Sequence, residues 1–275
     1  MEAAYNQVAQ SIAAFERTSL FAQFSSQYDY YLYTCINGGG GLHECAKGTG
    51  TVAATIGPTI FTGDEWNGLQ LFMNENDNDG ILEEGEGAMC AACHVADWTN
   101  TADYPLTVVV PTWAPAGMVP PVFTDFSFDN LGVPKNPENP FYYLPRKFNP
   151  DGVNFVDYGL GAFLKNAGYD STVYDIEMGK VKVMTLRNIG VTGPYMHNGY
   201  FKSLAGVVNP YNTRAVKSIC AGDFTEAQAL ANNCWPLPEV SVNVNDTELG
   251  NLGLTPQDEQ DIVKFMQTLT DGYTP

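Results

Sequence analysis

Two cysteines and one histidine form the motif with the clearest chemistry in this chain. The sequence Cys90-Ala-Ala-Cys93-His94 places two thiols and an imidazole within five positions. This CxxCH spacing is typical of c-type haem attachment, in which both thiols add to the porphyrin and the histidine binds the iron. A redox CxxC motif is disfavoured because no βαβ pattern surrounds it. Zinc would need two further ligands, and His43 and His197 are the only other histidines. The motif therefore predicts one covalently bound haem c.

The ligand on the other side of the iron decides between electron transfer and catalysis. The candidates lie in the segment GPYMHNG, which spans 193–199, and at Tyr211. Met196 or Tyr211 would give a six-coordinate carrier, His197 a bis-histidine site, and an open position a site that binds peroxide. The residue types alone leave these alternatives open. Arg187 precedes the segment, and we expect it to bind a haem propionate through a bidentate pair, with a surface salt bridge as the alternative.

Six segments follow one another in an order that resembles one protein family. They are AFERT (Ala14–Thr18), CAACH (Cys90–His94), FSFDNLGVP (Phe126–Pro134), TLRN (Thr185–Asn188), GPYMHNGYFKSL (Gly193–Leu204) and LGLTPQDEQDIVKFMQTL (Leu252–Leu269). Together they resemble the C-terminal half of the bacterial di-haem cytochrome c peroxidases and of their MauG-like relatives. The resemblance covers most of the chain. It implies a mostly α-helical, cytochrome c-like haem domain with long ordered loops and a periplasmic or extracellular location.

The resemblance also implies roles for single residues. In the family, the distal ligand of this haem lies 14 residues after the histidine of the PYMHNG-type motif, and counting from His197 gives Tyr211. That ligand is tyrosine in the MauG-like group and methionine in the peroxidases, so Tyr211 is the leading sixth ligand and Met196 the alternative. His197 resembles an essential distal-side histidine and is the candidate catalytic residue, which orients the ligand or relays a proton. Asp129 replaces a histidine of an FHN-type segment.

The chain departs from the family in the number of its haem motifs. It contains a single CxxCH and only the segments of the second half. Family members use two haems, one where peroxide reacts and one through which electrons pass. The sequence therefore predicts either a mono-haem relative or a chain whose partner supplies the second haem.

An acidic segment just before the haem motif matches a calcium-binding loop. Counting Glu75 as position 1, oxygen side chains fall at position 3 with Asp77, at position 5 with Asp79 and at position 12 with Glu86, and Gly80 stands at position 6. This spacing is that of an EF-hand loop. Glutamate departs from the usual aspartate at position 1, and glycines at 85 and 87 disfavour an ordinary exiting helix. We expect a calcium loop without a full EF-hand, with a solvated acidic loop as the alternative.

Composition limits the partners that the chain can have. Its 13 basic and 31 acidic residues give a net charge of −18, which argues against nucleic acid and against an anionic membrane surface. We expect a basic or neutral redox protein, a second haem-bearing chain, or further copies of this chain. No stretch is long and apolar enough to span a membrane, and no signal peptide is visible. The other four cysteines predict the disulfides Cys35–Cys45 and Cys220–Cys234 and an oxidising compartment, with four buried thiols as the alternative.

The elements that carry these residues are predicted to be mostly helical and to form a single haem domain over 1–275. Residues 1–63 are expected to form an N-terminal helix and a disulfide-stapled loop, and 64–275 the haem-binding core. Helices are predicted at 2–24, 64–73, 156–166, 203–208 and 256–269, and long loops at 34–63, 99–158 and 212–250. The apolar positions behind the first helix are Val8, Ile12, Phe15, Leu20 and Phe24. Asp64 is the predicted cap of the second helix.

Three functions fit these observations. The leading one is a mono-haem c-type cytochrome that transfers electrons through its haem. The second is a hydrogen-peroxide-reducing peroxidase or MauG-like oxidase, acting alone or with a second haem-bearing chain. The third is an assembly subunit whose copies stack their haems for conduction.

Overall fold

Helices joined by long irregular segments and very short strands make up the computed structural model, which describes residues 2–16, 18, 23–102 and 110–275. In these residues the α-helices are α1 (Glu2–Glu16), α2 (Gln27–Asn37), α3 (Leu42–Lys47), α4 (Gly50–Ile60), α5 (Gly63–Met73), α6 (Gly159–Asn166), α7 (Ser171–Tyr174), α8 (Leu204–Thr213), α9 (Glu226–Ala231) and α10 (Pro256–Gln267). The strands are β1 (Thr99–Asn100), β2 (Met118–Val119), β3 (Phe128–Asp129), β4 (Val181–Lys182), β5 (Ser218–Ile219) and β6 (Cys234–Trp235). The pairs β1–β2 and β3–β4 are antiparallel and β5–β6 is parallel. The mostly helical prediction is confirmed.

Helices α5 and α10 cross at the centre of the main core. They meet at Gly68, where a Cβ atom would lie 1.9 Å from the Asp261 carbonyl oxygen, so only glycine allows this approach. Beside the crossing, Phe72 and Phe265 meet edge to face with ring centroids 5.2 Å apart. Phe123, which is fully buried, packs against both rings. The irregular segment around Phe123 is therefore anchored in the helical core.

A second, smaller core supports the segment that follows residue 193. Buried Tyr200, Phe201 and Trp235 form it together with the disulfide cysteines 220 and 234. Tyr195 contacts this cluster and the main core, so it joins the two. The fold thus places the two candidate halves of the site, the CxxCH motif and the GPYMHNG segment, on adjoining cores.

The N-terminal prediction is wrong in two respects. The first helix ends at Glu16 and not at residue 24, and Val8, Ile12 and Phe15 are each more than half exposed, so its apolar stripe is not buried in the core. Leu20 lies outside the described residues, and Phe24 is buried but not helical. The predicted loop at 34–63 contains the end of α2 and all of α3 and α4. Gly57 of this segment serves packing, since a Cβ there would lie 2.0 Å from the Trp66 ring.

The remaining helix predictions are close to the structure. The cap of α5 is Thr62, whose side chain accepts a hydrogen bond from the Glu65 backbone, while Asp64 lies in the first turn. The prediction at 156–166 corresponds to α6, and the one at 203–208 extends to Thr213 in α8. The last helix begins at Pro256 as predicted. Segment 99–158 is largely irregular in its described part, whereas 212–250 includes α9, β5 and β6.

Two disulfides close local loops. Cys35 and Cys45 are bonded with Cα atoms 5.8 Å apart, which ties α2 to α3. Cys220 and Cys234 are bonded with Cα atoms 5.1 Å apart, which ties the segments of β5 and β6. The pairing is the one that the spacing predicts. None of the helices in the described ranges has the length and hydropathy to cross a bilayer.

Candidate functional site

The CxxCH segment forms a short 3₁₀ turn over Cys90–Ala92, directly after the acidic loop 75–86. Backbone hydrogen bonds join the two ends of this loop, from Gly87 to Glu75 at 2.9 Å and from Met89 to Asn74 at 2.9 Å. A third runs from Ala88 to Leu71 of α5 at 2.6 Å. These backbone hydrogen bonds therefore fix the turn to the end of α5.

The two motif cysteines are not bonded to each other and are partly buried. Burial raises the pKa of the Cys90 thiol to about 12 and that of Cys93 to about 11. A thiol that stays protonated at neutral pH is a weak nucleophile and a weak metal ligand. In the described part of the chain, the one group of three or more metal-ligating side chains with ligand atoms within 4.8 Å is Cys93, Asp129 and Glu248, which includes neither Cys90 nor a histidine. This arrangement favours neither the redox nor the zinc alternative.

His94 is held by a backbone carbonyl. Its Nδ1 lies 3.0 Å from the Phe123 carbonyl oxygen, which can only accept a hydrogen bond. Nδ1 therefore carries the proton and Nε2 keeps its lone pair, which is the tautomer that binds a metal through Nε2. Burial lowers the pKa of His94, which keeps the ring neutral. The two thiols and this oriented imidazole fit the donor set of a c-type haem.

The candidate distal residues line a small apolar cavity next to the second core. Met196 and Tyr211 face it together with Phe201, Arg214 and Trp235. Burial raises the pKa of the Tyr211 phenol, and the neighbouring Cys90 and Cys93 raise it further. The structure thus brings Tyr211, on α8, near the CxxCH cysteines, which are 118 or more positions away in the sequence (211 − 93 = 118). The choice of Tyr211 over Met196 as iron ligand stays a prediction.

His197 lies beside a buried carboxylate. Its Nε2 is 3.8 Å from Oε2 of Glu239, whose side chain is 3% exposed. The Tyr142 hydroxyl donates to the other oxygen of Glu239 at 3.0 Å, and burial followed by the Glu239 charge raises the pKa of Tyr142. Nδ1 of His197 has no hydrogen-bond partner among the described residues. The pair can hold a proton on Nε2 and present Nδ1 as an acceptor.

Arg187 meets a protein carboxylate in this structure. Its Nη1 donates to both oxygens of Asp29 at 2.8 Å, and its Nε donates to the Pro121 carbonyl at 2.8 Å. The ion pair is almost completely buried, with 11% of the arginine side chain and 2% of the aspartate exposed. Most of the guanidinium N–H groups therefore have protein partners. The predicted contact with a haem propionate stays a prediction.

Comparison with known proteins finds relatives of one kind. No known family profile matches it. It is 28% identical over 277 positions to the methylamine utilization protein MauG of Paracoccus denitrificans, a match that covers all of this chain and 54% of MauG. It is 29% identical over 154 positions to the cytochrome-c peroxidase IdrP1 of Denitromonas iodatirespirans, covering 54% of this chain and 35% of IdrP1. The chain is a relative of the MauG-like di-haem peroxidases.

A solved structure agrees with this relationship at the level of the fold. A variant of the diheme peroxidase BthA from Burkholderia thailandensis superimposes with a TM-score of 0.53 at 23% identity, over 92% of this chain and 47% of that chain. The cytochrome c peroxidase-like helical fold that the motifs predict is therefore confirmed. The chain spans about half the length of the MauG-like proteins that it matches.

In this MauG-like chain, the acidic side chains of the predicted calcium loop do not converge on a common point. Asp77 and Asp79 each accept a backbone hydrogen bond from two residues further on, at 3.1 and 2.8 Å, and the Glu86 carboxylate accepts one from Glu83 at 3.0 Å. In the described residues, Glu75, Asp77, Asp79 and Glu86 do not form a group with ligand atoms within 4.8 Å of one another. Calcium binding stays a prediction.

Several residues of the site have no signal in the sequence. Asp29 belongs to α2, a helix that is not predicted from the sequence. It also caps that helix by accepting a hydrogen bond from the Ser26 backbone at 3.0 Å. Glu239 lies in an irregular segment without a motif. Asp129 is marked by the departure from the family pattern, and the structure places it beside Cys93. Of these three acidic residues, only Asp129 could have been found from the sequence, through this departure.

Proposed function

We propose that this chain is a c-type haem domain that transfers electrons through one covalently bound haem. Thioethers from Cys90 and Cys93 and the Nε2 atom of His94 would hold the haem, which supplies a one-electron redox couple when bound. The observation that carries the proposal is the hydrogen bond of His94 Nδ1 to the Phe123 carbonyl, because it orients the ring and assigns the proton to Nδ1. His94 would bind the iron through Nε2, and its buried surroundings would exclude water from this nitrogen.

Tyr211 is the proposed ligand on the opposite side, with Met196 as the alternative. Its support is its position in the apolar cavity near the motif cysteines. A protein ligand at that position leaves no place for a substrate on the iron. Electrons would then enter and leave through the haem edge, and the net charge of −18 favours basic or neutral redox partners.

Peroxide reduction is the second candidate, and the position of the Glu239 carboxylate beside His197 favours it. A carboxylate behind one nitrogen of an imidazole is an arrangement suited to general acid–base work. His197 would accept a proton at Nδ1 and return it, while Tyr142 and Glu239 hold the ring. The likeness to the cytochrome-c peroxidase IdrP1 supports this candidate. A second haem-bearing chain is a proposed partner, because the family that the motifs resemble uses two haems and this sequence contains one CxxCH.

The proposal has three further parts: a periplasmic or extracellular location, a calcium ion in the loop 75–86, and association with further copies of this chain. The location is supported by the two disulfides, since such bonds persist in oxidising compartments. The calcium ion is supported by the EF-hand spacing of the loop.

Optical spectra of the purified protein in the ferric and ferrous states test the proposal. We expect low-spin bands in both states that peroxide does not change, and a ferric high-spin spectrum for the Tyr211→Phe variant. Tyr200→Phe is the matched control, because Tyr200 is a buried tyrosine whose hydroxyl donates to the Phe224 carbonyl. A wild-type protein with free Cys90 and Cys93 thiols and no haem would refute the proposal. Rapid spectral change with peroxide would replace the carrier by the second candidate.

A further inference from the structure

The segment 121–124 contains the carbonyl that holds His94, and its neighbouring carbonyls are held as well. The Pro121 carbonyl accepts from Arg187 Nε at 2.8 Å, and the Val122 carbonyl accepts from the Thr185 hydroxyl at 2.6 Å. The Phe123 carbonyl is the one that faces His94. Three successive carbonyls therefore have fixed partners, two of which belong to the TLRN motif.

Arg187 is itself fixed on all sides. Both oxygens of Asp29 accept from its Nη1, and the Asp29 carboxylate is tied to the start of α2. The guanidinium also lies over three aromatic rings, with its central carbon 4.9 Å from the Phe24 centroid, 5.7 Å from Tyr28 and 5.6 Å from Phe123. A planar fork that pairs with a carboxylate and stacks on rings has little freedom to move.

We infer that Asp29 and Arg187 are positioning residues for the proximal histidine, holding segment 121–124 so that the Phe123 carbonyl fixes the orientation and tautomer of His94. Partners of the non-ligating nitrogen of a metal-bound histidine orient the ring and raise its basicity. This inference rests on the proposed haem, and it gives the TLRN motif a task that differs from propionate binding. Arg187 acts through the backbone and touches neither the iron nor a substrate.

The consequence is a change in redox equilibrium when the segment is released. An imidazole that loses its acceptor is a weaker donor, so the ferric state loses stabilisation and the reduction potential rises. We expect Arg187→Met to change the ratio of ferrous to ferric protein at a fixed potential about tenfold, the lower end of effects at such outer positions. For one electron, that factor is about 59 mV. Arg187→Lys can keep the pair with Asp29 but not the Pro121 contact, so its shift should lie in between.

The experiment measures the reduction potential, the iron–histidine vibration and the thermal unfolding of holoprotein variants. Asp29→Asn is the second test variant, and Asp261→Asn is the matched control. Asp261 is also a buried carboxylate, but its side chain accepts from Asn67 at 2.8 Å and Gln257 at 2.7 Å and not from segment 121–124. The inference expects Arg187→Met, Asp29→Asn and Asp261→Asn all to be less stable than the wild type. Only the variants at Asp29 and Arg187 are expected to shift the potential and the vibration.

Equal potentials and vibrations in all variants would overturn the inference and leave Arg187 with a structural role alone. A shift in Asp261→Asn as large as that in Asp29→Asn would overturn it too. If the wild type binds no haem, the proposed function fails, and the inference is then decided by ¹⁵N chemical shifts of the three histidines in the protein as isolated. A His94 ring protonated at Nδ1 in the wild type but not in Arg187→Met supports the inference, and the same tautomer in both rejects it.

Discussion

Helices α5 and α10 approach each other so closely at Gly68 that an added methyl group should separate them. The Cβ of an alanine would lie 1.9 Å from the Asp261 carbonyl oxygen and 3.0 Å from the Ile262 backbone nitrogen. Both obstacles are backbone atoms of α10, which cannot turn aside as a side chain can. Ordinary contact would require the two helices to move apart by about 1.5 Å, because heavy atoms pack at about 3.5 Å or more.

The effect of Gly68→Ala can be estimated from two opposing terms. Overpacking of a core typically costs about 1–3 kcal/mol, and the upper value applies here because the clash is with backbone. Replacing glycine by alanine inside a helix returns about 1 kcal/mol. The free energy of unfolding should therefore fall by about 2 kcal/mol. For a chain of this size, that corresponds to a melting temperature lower by about 4–8 °C.

Thermal unfolding followed by circular dichroism measures this difference, with Gly63→Ala as the control. Gly63 is the first residue of the same helix, and an added Cβ there meets no atom within 4 Å. We expect this control to stay within about 0.5 kcal/mol of the wild type or to gain stability. If Gly68→Ala unfolds at the temperature of the control, the close crossing of α5 and α10 is not a feature of the protein in solution.

Two further predictions concern acidic groups. Calcium should raise the melting temperature of the wild type but not of Asp79→Asn, because a ligand that binds only the folded state stabilises it; the control Glu84→Gln should respond like the wild type, and an equal response of both variants would contradict a site at Asp79. Burial raises the pKa of Glu226, so the folded state keeps this proton to higher pH than the unfolded chain and loses stability as pH rises through that pKa. Urea unfolding should show that Glu226→Gln gains stability relative to the wild type as the pH rises above about 4, whereas a difference independent of pH would contradict the assignment.

The chemistry of the proximal side could be predicted from the sequence because its residues are adjacent. Cys90, Cys93 and His94 lie in five consecutive positions, and no fold is needed to bring them together. The ion pair of Asp29 with Arg187 could not be predicted, since these residues are 158 positions apart and meet only when α2 packs on the core. The contact of Arg187 with a propionate stays a prediction, and its pair with Asp29 could not be predicted because a bidentate guanidinium can pair with any carboxylate that the fold brings near.

The helices show a similar division. The last helix is predicted correctly because Pro256 marks its first turn and its apolar residues are buried by α5. The segment 34–63 is wrongly predicted as a loop because glycine and threonine are weak helix formers. Tertiary packing overrides that preference, for example where the Trp66 ring lies directly on Gly57. The first helix shows the opposite error, since its periodic apolar residues are not buried in the core.

The backbone bonds that join the ends of the acidic loop have a consequence for how such proteins diverge. Because Gly87 bonds to Glu75 and Met89 bonds to Asn74, the loop is closed at its base before the haem motif begins. Changing the length of a loop closed in this way alters its closure entropy only slightly, by about 0.6 kcal/mol for each doubling. A change in the length of this loop would therefore leave Cys90 in place, but between positions 75 and 86 it would also remove the spacing proposed for calcium. Related chains are expected to differ in length at this loop while their haem motifs keep the same place on the end of α5.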